Sequence, residues 1–145
     1  MGNAATSTNS NEYATMVHSL FEAIHLDPAE TTELDRQVVA TFAFGMIFAR
    51  GRLENLAPTE VRANAAWCLG HIFGYSEQQA LDFAEHLIDA SIDEHRQPVQ
   101  NAIIHRGIDG HKQWAKGETN QPRSNLTDIL QRVRASNSRG RPTTR

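Results

Sequence analysis

Cysteine is nearly missing from this chain of 145 residues. The single example, Cys68, has no partner for an intrachain disulfide, so a cross-linked secreted scaffold is excluded and a reducing, cytoplasmic setting is expected. Long apolar runs are missing too. The most apolar stretch, VVATFAFGMIFA from Val38 to Ala49, covers 12 residues, where a bilayer crossing takes roughly 18 to 20. It reads instead as a buried central helix. No basic segment followed by an apolar one opens the sequence, so no secretory leader is expected. Strict apolar/polar alternation persists nowhere, which removes the main signal for strands. Positive charge is scarce in the first two thirds: residues 1–95 hold 4 of the 14 Lys and Arg against 14 of the 17 Asp and Glu, a balance of −10. Residues 96–145 reverse this with 10 basic residues against 3 acids, or +7. A chain that is acidic and then basic offers surfaces for oppositely charged partners.

What is present is ordinary globular material, 39% hydrophobic and 21% charged, in a length suited to one domain. The fold class expected is all-α: a single compact bundle of about six helices with disordered termini. The polar head, residues 1–11, and the Arg-rich tail, residues 136–145, lack an apolar anchor and flank a helical domain over 12–135. Helical periodicity places Met16, Val17, Leu20, Phe21 and Ile24 on one stripe of a first helix, from about Glu12 to Leu26. Asp27, Pro28 and Glu30 suggest a capped start for the second, which runs to about Arg50. Pro58 opens a third that stops at Gly74, and Ser76 with Gln79 forms a capping box for the fourth. Pro98 opens a fifth with Val99, Ala102 and Ile103, weakened by Gly107 and Gly110. Leu126, Ile129, Leu130 and Val133 mark the sixth.

The chemistry-bearing stretch is DFAEHLIDASIDEHRQ, residues 82–97. At ~100° per residue, Asp82, Glu85, His86, Asp89 and Asp93 fall within an arc of roughly 100°, while Phe83, Leu87, Ile88, Ala90 and Ile92 take much of the rest. A di-iron bundle requires Glu-x-x-His on two helices, and only Glu22 and His25 match, so no metal and no cofactor are expected. Acids sharing one wet stripe do not acquire the split pKa values of a catalytic pair, so no catalytic residues are assigned. Cys68 with His71 reads as packing, and His105, Asp109 and His111 near Trp114 read as a solvent-facing helix end. MGNAAT fits the N-myristoylation pattern, and RGRP at Arg139–Pro142 resembles the core of a minor-groove hook, with Ser138 where the usual preceding proline would stand.

The segment ATFAFGMIFARGRLENLAPTEVRANAAWCLGHIFGYSEQQALDFAEHLIDA resembles the small all-α immunity proteins of bacterial polymorphic toxin systems, in particular the family numbered forty-eight. The resemblance spans roughly residues 15–135. It implies a non-enzymatic cytoplasmic protein that binds a cognate toxin and blocks it. Charge adds that the toxin has a basic surface, met by Asp82, Glu85, His86, Asp89 and Asp93. The alternative is a nucleic-acid-associated helical protein that uses the basic C-terminal third and the RGRP tail.

Overall fold

A computed structural model describes residues 13–22, 32–117 and 120–140, with side chains over 13–22, 32–117 and 124–135. Among these residues the chain forms six helices and no strand. They are α1 (13–22), α2 (Glu33–Leu53), α3 (Pro58–His71), α4 (Glu77–Ile92), α5 (Pro98–Ala115) and α6 (Asn120–Gly140). Ile24, His25, Asp27, Pro28 and Glu30, and with them the proposed cap of the second helix, lie outside the described residues, as do residues 1–12 and 141–145. The cap described for α2 is Thr32, whose hydroxyl accepts from the Asp35 N–H at 3.2 Å. The α6 backbone stays helical to Gly140, five residues past the apolar stripe's expected domain boundary at 135.

The core is built around α2. Every residue from Val38 to Ile47 is buried, so this helix is covered on all sides, as the unbroken apolar run requires. α1 contributes Tyr13, Met16, Val17, Leu20 and Phe21, all at most 4% exposed. Its Phe21 ring meets Phe73 at 5.1 Å, and the Tyr13 hydroxyl donates to Glu54 at the far end of α2. α6 adds Leu126, Ile129 and Leu130. The same helix is pinned by charge: Arg134 grips both carboxylate oxygens of Asp35, at 2.9 Å through Nε and again through Nη2. Arg106 of α5 donates to Asn125 and Asp128, each at 2.9 Å.

The closest packing is between α2 and α5, and it corrects the reading of Gly107 and Gly110 as weak points. A Cβ added at Gly107 would lie 2.1 Å from the Phe42 carbonyl oxygen, and one at Gly45 would lie 2.2 Å from that of Ile104. Gly110 is closed in by the Phe42 ring, 2.8 Å from where its Cβ would stand. The glycines are the contact itself, since no side chain fits between the two backbones. Two further expectations are also revised. Val99 is 62% exposed and Ala102 is exposed, so of the three expected residues α5 buries only Ile103, joined by Ile104. α3 ends at His71, before Gly74, whose φ of +80° carries the chain into the turn.

Neither glycine can be enlarged without moving a backbone. Gly107→Ala or Gly45→Ala is expected to destabilise by about 3 kcal/mol, the upper part of the overpacking range. Gly70→Ala, whose Cβ would find only Tyr75 O at 3.6 Å, should be neutral or stabilising by up to about 1 kcal/mol through helix propensity. Urea unfolding of the three variants checks both; equal costs at all three positions would refute the seam.

Candidate partner-binding face

α4 is defined by local chemistry. Ser76 Oγ accepts from the Gln79 N–H at 3.2 Å while Gln79 Oε1 accepts from the Ser76 N–H at 3.0 Å, the reciprocal box expected from the sequence. Its inner face is made of Ala80, Ala84, Leu87 and Ala90, small residues that let it lie close to its neighbours. Its far end is tied to α5 by Asn101, a buried amide donating to Ala90 O at 2.9 Å and Ser91 O at 3.3 Å. These bonds occupy carbonyls that the helix end leaves unpaired.

The outer face carries the acids. Asp82, Glu85 and Asp89 are exposed, while His86 and Asp93 are half-buried. Asp82 accepts from Gln78 at 2.9 Å, and Glu85 meets Arg62 of α3 at a loose 3.4 Å. Asp93 caps the helix and accepts from the Arg96 N–H at 3.1 Å. Asp89 makes no hydrogen bond or ion pair among the described residues. His86, Asp89 and Asp93 come together in a cleft of about 260 Å³ with Ile92, Arg96 and Gln97; Asp82 and Glu85 sit nearer the start of the helix, outside it. Ile92, expected on the apolar face, is 81% exposed. It lies ~80° round the helix from Ala84, beyond the buried arc, so an apolar side chain stands beside the carboxylates.

The other candidates separate. No group of three or more His, Cys, Asp or Glu able to hold a metal occurs among the described residues; Glu22 is exposed, and His25 is outside them. Cys68 is buried, and burial pushes its thiol up to about 12, far from the thiolate a nucleophile needs. His71 is turned to Trp67, its Nδ1 donating to the Trp67 carbonyl at 2.9 Å and its ring stacking on the indole at 4.3 Å. His105 and Asp109 are exposed, but His111 is only 2% exposed, which corrects its reading as part of a solvent-facing helix end. In the basic third, Arg106 and Arg132 both pair with Asp128, and Arg134 pairs with Asp35. These are surface pairs, the three arginines keeping 36%, 75% and 50% of their side chains exposed.

Residues 9–134 match the family described as Immunity protein 48. The chain belongs to that family. No curated protein and no solved structure matches it. Membership assigns the chain to toxin immunity in general, carried on a helical scaffold with no helix among the described residues long and apolar enough to cross a membrane.

A further feature invisible to sequence reasoning is a groove of about 450 Å³ between α3 and α4, walled by Trp67, His71 and Tyr75. The only signal for it was the spacing of aromatic and imidazole rings within AWCLGHIFGY.

His111 gives the family member a definable acid sensitivity. Burial holds its pKa below the usual imidazole value and the Arg50 charge lowers it further, partly offset by Glu54. The fold thus favours neutral imidazole, and the unfolded chain takes up the proton first. Stability from this group is complete above the unfolded value of about 6.5 and is lost as pH falls through the window below it. His111→Gln should shrink the drop in melting temperature between pH 7 and pH 5.5. An undiminished drop would assign the acid sensitivity elsewhere.

Proposed function

We propose that this chain binds a cognate protein toxin and blocks it, with a basic toxin surface docking on the outer face of α4. The observation that supports this reading most is the charge of the α3–α4 pair. Between Pro58 and Asp93 there are six carboxylates, Glu60, Glu77, Asp82, Glu85, Asp89 and Asp93, against one basic residue, Arg62. Asp82, Glu85 and Asp89 are solvent-facing on one helix, so their fields add toward an incoming cation, which speeds encounter and fixes orientation. His86 and Asp93 frame the adjoining cleft, and exposed Ile92 offers apolar contact within it. The chain acts stoichiometrically, by covering, in the cytoplasm of the cell that makes the toxin, and requires no cofactor for that task.

The test pairs growth with binding. Expression of the toxin encoded beside this gene should arrest a bacterial host, and co-expression of the chain should restore growth. A triple Asp82→Lys, Glu85→Lys, Asp89→Lys variant leaves Asp93 to hold the Arg96 N–H. Association of this variant with catalytically inactivated toxin should slow by about tenfold or more at low salt, and its rate should lose most of its salt dependence. A folded triple variant that associates like the parent at every salt concentration would reduce the acidic face to a solvated surface.

A further inference from the structure

The charge of α4 explains approach and orientation, but exposed charges contribute little to how long a complex lasts; residence comes from a few desolvated anchors. The α3–α4 groove has the form of an anchor's receptor. Exposed Ala63 and half-buried Ala66 leave open one side, and Trp67, Tyr75 and Leu81 supply apolar wall. That wall is held in advance. Trp67 is stacked against His71, with an interplanar angle of 17°. Tyr75 lies edge-on to Phe83 at 5.5 Å, has the Arg36 guanidinium 4.3 Å above its ring, and donates its hydroxyl to Glu33 at 3.3 Å. An occupant therefore meets rings that need no ordering on binding.

The rim identifies the occupant. Glu77, at the start of α4, is exposed, lines the groove and forms no ion pair among the described residues. On the α3 side the neighbour of Ala63 is Arg62, already drawn to Glu85. The free charge at the groove is thus negative and continues into the acidic face through Leu81 and Asp82 on the same helix. A second copy docking through its own α3–α4 face would bring like charge to this rim, and a phosphate backbone would be repelled by it.

We propose that the α3–α4 groove seats an apolar side chain carried on a basic segment of the toxin, while Glu77 pairs with a lysine or arginine beside that anchor. This inference rests on the toxin-binding reading above and adds where the complex is held. It divides labour by rate: the α4 carboxylates act on association and the groove on dissociation.

The test uses the full-length chain and the inactivated toxin as the probe. Ala63→Trp fills the groove from an exposed helical position, so the fold should tolerate it, and Ala102→Trp, at an exposed position of α5, is the control. Ala63→Trp should dissociate about tenfold faster or more, with association and melting temperature nearly unchanged; Glu77→Lys should weaken binding in the same direction, and Ala102→Trp should match the parent. A parent that binds while folded Ala63→Trp binds equally well overturns the groove and leaves the toxin-binding reading intact. A parent that does not bind the toxin overturns both. Sedimentation identifies the competing occupant: a parent dimer that Ala63→Trp converts to monomer, without loss of toxin affinity, would assign the groove to self-association and overturn the proposal.

Discussion

Where α2 crosses α5, peptide backbone meets peptide backbone. Gly45 and Gly107 each stand where any Cβ would lie about 2 Å from a carbonyl oxygen of the opposite helix, so the distance between the two axes is fixed by atoms that have no rotamers. Contacts that involve side chains can repack; this one cannot. α5 in turn sets the elements that touch it. Asn101 in its first turns holds the end of α4, and Arg106 in its middle holds α6. A shift of α5 away from α2 would move both, and with α4 the acidic face and the groove.

Charge is sorted by the same scaffold. Arg106, Arg132 and Arg134 of the C-terminal part pair with carboxylates on α2 and α6, most closely in the Asp35–Arg134 clasp, while Arg96, Lys112 and Lys116 face water. The carboxylates of α3 and α4 mostly face water. The α3–α4 hairpin, with six carboxylates against one arginine, is thus a concentrated negative patch, a more directional field than a net charge of −3 would suggest. Membership of the Immunity protein 48 family is what makes a protein toxin the partner proposed for that field, and the groove with Glu77 on its rim lies next to it.

The sequence was legible where the signal is local. The capping box at Ser76 and Gln79, the prolines opening α3 and α5, and the stripes Met16–Val17–Leu20–Phe21 and Leu126–Ile129–Leu130 all depend on spacing within one helix, and the structure places them as spacing demands. What failed depends on the partner helix. A glycine's cost to its own helix is visible in sequence, but its worth at a crossing is not, because that requires knowing that Phe42 and Ile104 lie opposite. His111 looked like its exposed neighbours His105 and Asp109 until α2 covered it, and Ile92 looked like core although it lies beyond the buried arc of α4. The acidic stripe was legible as geometry, and the groove was not, since its two walls are on different helices.

The Asp35–Arg134 clasp has a consequence for the order of folding. Its partners are 99 residues apart, and closing a loop of that length costs conformational entropy that only an already assembled surface can offset. The contact therefore forms late, after α2 to α5 have made the platform on which α6 lies. Until then Asp35, 8% exposed in the finished fold, has lost no water and needs no counterion, and the flank of α2 that Leu126 and Leu130 will cover stays open. A chain emerging from the ribosome completes this bundle only once α6 is free of the exit tunnel. A chain cut just before Arg134 would keep the apolar layer of Leu126, Ile129 and Leu130 but leave Asp35 without its counterion.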